Sequence, residues 1–141
     1  MTTTKTTKTR PRVQKVYSGG PFEAKVAYSR ATRVGEQVFV AGTTAVGADG
    51  VIVGEGDLYA QSRFVFQKIE AALAECGAAM RHVVRTRMYV IDISQFDLMA
   101  RAHQEAFQGI DPVATCVEVR ALVRPEMLIE IEVDAIITPP A

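Results

Sequence analysis

The sequence predicts a single α+β domain in which two helices pack on one face of a mixed, mostly antiparallel sheet. Two stretches have the apolar spacing of amphipathic helices, and several shorter stretches alternate or run apolar in the manner of strands. Along the chain the order is three or four strands, a helix, a strand, a helix and two strands. Two helices are too few to cover both faces of such a sheet, so we expect both on one face. No linker divides the chain, and its 141 residues suffice for one modest core.

The N-terminal part of the sequence predicts a tail followed by short strands. Residues 1–12 are rich in Thr and Lys and offer nothing to bury, so we expect a disordered tail there and the domain over residues 13–141. The stretch VQKV begins a short strand that leads into a Gly-Pro loop. Two apolar-leaning runs flank Gly35, which indicates a hairpin, and VIVG after Gly50 is a candidate for a short edge strand.

The stretch from Asp57 to Gly77 is the clearest helix. Asp57 is a suitable N-cap, and Gly77 stands where a left-handed residue often ends a helix. The apolar side chains fall on one stripe, which places Cys76 in the core, as is usual for a free cysteine. This stripe consists of Leu58, Val65, Ile69, Leu73 and Cys76.

A strand and a second helix follow. Residues 83–93 alternate with period two, and Ser94 is a candidate cap for the helix QFDLMARAHQEAFQ, with Asp97 at the capping-box spacing. One face of the strand is predicted to carry Val84, Thr86, Met88 and Val90, and the other Arg85, Arg87 and Tyr89.

Two final strands, in VATCVEVRAL and MLIEIEVDAII, complete the predicted sheet. In the last one, apolar residues at 129, 131, 133, 135 and 137 share one face, and three acids share the other. Such a charged face is commonly solvated, but with apolar bulk nearby it can also be a subunit interface, and the sequence leaves both readings open. We expect this face to carry Arg85, Arg87, Cys116, Glu118, Arg120, Glu130, Glu132 and Asp134.

Composition and missing motifs exclude several classes of function. Sixteen basic and sixteen acidic residues cancel, which argues against nucleic-acid binding by bulk charge. Two cysteines outside any CxxC pair favour a reducing, cytoplasmic setting, and no apolar run is long enough to span a membrane. The two histidines, His82 and His103, have no second ligand at metal-binding spacing, so we expect no metal site. Phosphate loops, nucleophile elbows and zinc-protease motifs are absent.

Three residues in the last two strands are the candidates for chemistry that the residue pattern itself suggests. Glu130 and Glu132 stand about 7 Å apart on one strand face and can form an acid/base pair. The same alternation is also what any amphipathic strand shows. Cys116 has no histidine nearby in sequence, and a cysteine within a strand is usually inert.

The ordered combination RVGEQVFVAGTTA, AALAECGA, VVRTRMYVIDISQF, EAF, PVATCVEV and IEIEVDAI resembles the Rid/YjgF family over residues 28–137. That family comprises reactive-intermediate deaminases, and some members carry the label of L-PSP endoribonuclease. The resemblance implies a chorismate-mutase-like fold and a homotrimer with small-molecule clefts between subunits. It also implies hydrolysis of imines or enamines such as 2-aminoacrylate to 2-keto acids and ammonia, without a metal or organic cofactor.

The resemblance further implies roles for individual residues. Tyr28 would close the pocket, the backbone at Cys116 and the carboxylate of Glu130 would hold or activate water, and a polar helix position falls on Arg101. The substrate-binding arginine of the family should stand two residues before Cys116, where this chain has Ala114.

The alanine at position 114 limits the functions to be expected. Losing a charge-assisted contact to a carboxylate costs about 1.5–3 kcal/mol, so activity on small 2-imino acids should be weak unless Arg101, Arg85 or Arg87 replaces the missing group. A non-catalytic trimer that binds a small metabolite or a protein is the alternative. RNA cleavage is the least supported function, because paired histidines and a strongly basic groove are missing.

Overall fold

A six-stranded sheet is the centre of the computed structural model, which describes residues 12–139. The strand order is β1-β2-β3-β6-β4-β5, and every neighbouring pair is antiparallel except β4 and β5. Apart from Arg12, the predicted tail lies outside the described residues. The strands are β1 Val13–Val16, β2 Ala31–Val34, β3 Gln37–Thr43, β4 Val83–Val90, β5 Val113–Glu118 and β6 Ile129–Ile136.

Within the described residues three α-helices accompany the sheet, and the two long ones lie on the same face of it. They are α1 Pro21–Val26, α2 Leu58–Glu75 and α3 Phe96–Phe107. Helix α2 packs against β3, β6 and α3, so the predicted α+β class, with both long helices on one face, is confirmed. Helix α3 connects the parallel strands β4 and β5, as a parallel pair requires a crossover. Among the described helices, none is long and apolar enough to cross a membrane.

The core lies between these helices and the sheet. All five residues of the predicted α2 stripe are buried, including Cys76, and the apolar parity of β6 faces them. The caps of α2 are as predicted: the Asp57 carboxylate accepts a hydrogen bond from the Ala60 backbone N–H (3.0 Å), and Gly77 has φ +76°. The buried residues of β6 are Ile129, Ile131, Val133 and Ala135.

Helix α1 was not predicted, because its sequence was interpreted as a Gly-Pro loop. Pro21 is at the start of the helix, where its missing N–H has no partner to lose. The Glu23 carboxylate accepts hydrogen bonds from the backbone N–H groups of Ser18 (2.8 Å) and Gly20 (3.1 Å), and also from the Ser18 hydroxyl. These contacts fold the loop back onto the first turn.

The prediction that Ser94 caps α3 was also wrong. Asp92, not Ser94, starts the turn: its carboxylate accepts from the Ser94 backbone N–H (3.0 Å) and hydroxyl (2.6 Å). A short 3₁₀ turn at Ile93–Gln95 therefore precedes the helix, which begins at Phe96. The Ser94 hydroxyl is therefore engaged with Asp92, and the residue that precedes the helix is Gln95, whose side chain makes no capping hydrogen bond.

Three predicted face assignments in the sheet, those of Val84, Cys116 and Glu118, are corrected. A register shift between Val83 and Arg85 exposes Val84 and buries Val83, whereas simple alternation put Val84 in the core. Cys116 pairs laterally with Met88, and paired residues point to the same face, so Cys116 lies on the helix side. Glu118 pairs with the buried Val90 and therefore also lies on the helix side, not on the predicted charged face. Arg120 lies beyond the end of β5.

Candidate functional site

The open face of the sheet carries an ion-pair network on β4 and β6. Arg87 lies 3.2 Å from Asp134 and 3.8 Å from Glu132. The Tyr89 hydroxyl donates to Glu132 (2.7 Å), and this hydrogen bond, together with burial, raises the pKa of Tyr89. Two of the three acids on β6 are therefore engaged with β4.

Glu130, the remaining acid of β6, is not engaged in this way. Its carboxylate makes no hydrogen bond or ion pair with any residue between 12 and 139, although the residue is half-buried. Burial raises its pKa, the Arg30 charge opposes this, and Glu132 adds to it. A carboxylate whose pKa is raised toward neutrality, with its oxygens free, is suited to accept a proton from water.

Gly42 provides the space for this carboxylate. A Cβ added at Gly42 would collide with Oε1 of Glu130. The register of β3 against β6 shifts between Val40 and Thr43, so Gly42 lies in an irregular part of the strand. Gly42 was not among the site residues predicted from the sequence, although a glycine inside a strand often marks a close approach of this kind.

Arg30 lies beside the same glycine. Its Nη2 donates to the Gly42 carbonyl oxygen (2.6 Å), and its guanidinium carbon is 5.9 Å from the centre of the Tyr28 ring. The Nε atom is buried and has no acceptor among the described residues. Arg30 was not among the site residues predicted from the sequence. The available signal was its position, two residues after Tyr28, at the start of the hairpin.

Two further charged groups influence Arg30. The Lys68 amine donates to the carbonyl oxygens of Thr44 (2.8 Å) and Val46 (3.0 Å), and burial and the Arg30 charge lower its pKa to about 8. Glu23 attracts Arg30 from α1, but its oxygens already accept from the loop before that helix. Although burial works against it, those hydrogen bonds lower the pKa of Glu23.

Ala114 and Cys116 lie elsewhere, on the helix side of the edge strand β5. Both line a cavity of about 460 Å³ between β4, β5 and α3, together with apolar residues and His103. His103 Nε2 is 2.9 Å from the Thr86 hydroxyl, and burial lowers the pKa of the imidazole. Burial raises the pKa of the Cys116 thiol, so the thiol is protonated near neutral pH and is a poor nucleophile.

Arg101 lies apart from both groups. It is exposed on α3, with Nε 3.3 Å from Glu105 Oε1 and its guanidinium carbon 4.3 Å from the centre of the Tyr59 ring. The five predicted site residues therefore fall into two groups and one outlier. Tyr28 and Glu130 lie beside Arg30, whereas Ala114 and Cys116 line the β5 cavity. Arg101 belongs to neither group. The two groups are on opposite faces of the sheet in one chain.

The fold and this face define an α+β protein with a half-buried glutamate, unpaired within residues 12–139, on the open side of a six-stranded sheet. A model of the family described as Endoribonuclease L-PSP matches residues 20–137. The chain belongs to this family, whose members are also called YjgF or RutC proteins.

Comparison with individual relatives agrees with that assignment. The crystal structure of a YjgF/YER057c/UK114 family member from Mycobacterium tuberculosis is 45% identical and covers 89% of this chain and 100% of its own, with a TM-score of 0.82. An uncharacterized protein of Streptomyces coelicolor is 37% identical over 123 residues, which is 87% of this chain and 91% of that protein. The 3-aminoacrylate deaminase RutC of Acinetobacter baylyi is 30% identical over 104 residues, or 74% of this chain and 82% of the relative.

Proposed function

We propose that this protein hydrolyses a small imine or enamine to a carbonyl compound and ammonia, with Glu130 as the base. The observation that carries the proposal is the state of Glu130: half-buried, raised in pKa, and free of protein partners between residues 12 and 139. The relative named 3-aminoacrylate deaminase supports an enamine as the substrate class.

The reaction follows from general acid–base chemistry. An enamine first becomes an imine when its carbon gains a proton from solvent and its nitrogen loses one to solvent. Glu130 then takes a proton from water while the water oxygen bonds to the imine carbon, and the nitrogen gains a proton from solvent to give a carbinolamine. When the C–N bond breaks, the protonated Glu130 gives its proton to the nitrogen, which leaves as ammonia, while the hydroxyl loses its proton to solvent and becomes the carbonyl.

A second copy of the chain completes the site in this proposal. Glu130 and the β5 residues Ala114 and Cys116 are on opposite faces of the sheet of a single chain, so one chain does not assemble them. Edge strand β5 exposes apolar side chains on the charged face, with Val113 57% and Val117 42% exposed. This supports a homotrimer in which β5 of one subunit lies against Glu130 of the next.

The alternative function is a trimer that binds a small metabolite without turning it over. The observation that favours it is Ala114, because its methyl group offers no contact for a substrate carboxylate. Under this alternative Glu130 would accept a hydrogen bond from the ligand and take no proton.

Ammonia release from freshly generated imines and enamines, with and without a carboxylate, tests the proposal. We expect the wild-type chain to accelerate release, and Glu130→Gln to lower the rate by at least about a hundredfold, since a positioned base contributes on the order of 10²–10⁴. Glu132→Gln is the matched control, two residues along the same strand face and engaged with Tyr89, and its effect should be much smaller. Equal losses in both variants would contradict the role of Glu130. Binding without release by the wild type would favour the alternative.

A further inference from the structure

We infer that Arg30 binds an anionic group of the ligand, a carboxylate by chemical fit, beside Glu130. The inference deepens the proposed function and rests on it, because it concerns the same face. It assigns to Arg30, the residue just before β2, the contact that Ala114 on β5 cannot make.

The hydrogen-bonding state of Arg30 is the first support. A guanidinium has five N–H donors in a planar fork, and a carboxylate matches two of them at once. Among residues 12–139, the Arg30 side chain makes one hydrogen bond, from Nη2 to the Gly42 carbonyl oxygen (2.6 Å), and its buried Nε has no acceptor. A buried N–H group without an acceptor lowers the stability of a folded protein, and a bound ligand that accepts its hydrogen bond would remove this cost.

Charge balance is the second support. No carboxylate between residues 12 and 139 lies within 4.0 Å of the Arg30 nitrogens. Glu23 acts on Arg30 only from a distance, with its oxygens occupied by Ser18 and Gly20. Lys68 adds a second positive charge close enough to interact with Arg30. This corner of the face therefore has a half-buried cation that is not neutralised by a direct ion pair.

The other arginines suggested by the sequence are already engaged. Arg85 and Arg87 pair with Asp134 across β4 and β6, and Arg101 pairs with Glu105 on the outer side of α3. Recruiting any of them to a ligand would require breaking an existing ion pair. Arg30 requires no such exchange.

The position of Arg30 also fits the chemistry of the proposed base. Arg30 and Glu130 both contact Gly42, so an anion on the guanidinium would lie next to the Glu130 carboxylate. The fork would then orient a substrate so that the carbon bearing the nitrogen faces the water held by Glu130. Arg30 is thus inferred to select and position an acidic substrate, while Glu130 performs the proton transfers.

Equilibrium binding of two stable probes tests this assignment without turnover. Pyruvate carries a carboxylate, and pyruvamide is its uncharged counterpart of similar shape. Isothermal titration of the full-length protein should show tighter binding of pyruvate than of pyruvamide. Arg30→Gln should weaken pyruvate binding by roughly ten- to hundredfold and leave pyruvamide binding nearly unchanged. Arg30→Lys, which keeps the charge without the fork, should give an intermediate loss.

Arg101→Gln is the matched control, because it removes another arginine from the same chain. It should bind both probes like the wild type. Thermal unfolding of each variant separates a lost contact from a lost fold, and a folded Arg30→Lys protein keeps the test valid if Arg30→Gln does not fold. Pyruvate binding that is undetectable in the wild type at millimolar concentration, unaffected by Arg30→Gln, or lost in Arg101→Gln would overturn the inference. Failure of the proposed function is a separate result: pyruvate binds through Arg30, but no imine is hydrolysed.

Discussion

Strands β6 and β5 belong to one sheet, but the sequence of β6 matches its burial pattern and the sequence of β5 does not. β6 has a partner on each side, and its residues alternate between a buried apolar face and a partly exposed acidic one. β5 is an edge strand that pairs only with β4, and of its six residues only Cys116 is as much as half-buried. The sequence VATCVE is nonetheless about as apolar as a core strand.

The difference shows what the apolar residues of each strand are for. In β6 they fill the core, so parity alone identifies the face that carries Glu130. In β5, Val113, Thr115 and Val117 share the charged face with Arg85 and Arg87, whereas Ala114 and Cys116 face the helix side. Apolar residues on an exposed edge strand fit a surface that is covered in an assembly, which is the arrangement proposed above.

The largest expected difference between the two strands is in stability. Ile131→Ala removes a fully buried side chain from the middle of β6 and should lower the free energy of unfolding by about 2–5 kcal/mol. Val117→Ala on β5, at a site 42% exposed within one chain, should cost less than about 1 kcal/mol in a monomer. Urea unfolding at low protein concentration measures both. If Val117→Ala lowers the free energy of unfolding as much as Ile131→Ala does, but only at high protein concentration, assembly buries Val117.

A second prediction concerns the space that β6 needs around Glu130. Gly42→Ala should push the Glu130 carboxylate aside and lower turnover by roughly ten- to hundredfold, because small displacements of reacting groups are costly. The melting temperature should change little, since the colliding atom is at the end of a flexible side chain. Crystallography of the variant would reveal the displacement. An unchanged rate with a displaced carboxylate would argue against Glu130 as the base.

A smaller effect is expected in the pH dependence of turnover. Glu130 is active as a base when it is deprotonated, so kcat/KM should fall as the pH drops through its pKa. Because burial raises this pKa, the midpoint should lie above 4.5, the ordinary value for a glutamate. Arg30→Gln removes the charge that opposes the increase, so its midpoint should move to higher pH. A pH profile measured with an uncharged imine separates this shift from the loss of carboxylate binding. If the midpoint of Arg30→Gln stays in place or moves to lower pH, the account is contradicted.

Those parts of the fold that depend on local signals were predictable from the sequence. The Asp57 cap, the left-handed Gly77 and the alternation in β6 are each set by residues within a few positions of one another. The exposure of Val84 was not predictable in this way, because it depends on a register shift against β6. The face of Cys116 likewise depends on a lateral pairing with Met88 across a crossover.

The site shows the same division between local and long-range information. Tyr28 and Glu130 were named from a resemblance, whereas Arg30 and Gly42 were missed because their roles arise only when β2, β3 and β6 are side by side. Arg101 was considered as the replacement cation, but the structure engages it with Glu105 and Tyr59. Spacing along one chain does not reveal which arginine lacks an acidic partner in the fold.

Subunit mixing tests most directly the central claim that Glu130 of one chain works with β5 of another. Glu130→Gln removes the base, and Ala114→Trp obstructs the cleft at an exposed position of β5, so each variant alone should be nearly inactive. When the two chains are refolded together in equal amounts, some interfaces combine an intact Glu130 with an intact β5. The account predicts recovery of roughly a quarter of wild-type ammonia release in random closed trimers. Mixed assemblies as inactive as their parents, beside an active wild type, would contradict it.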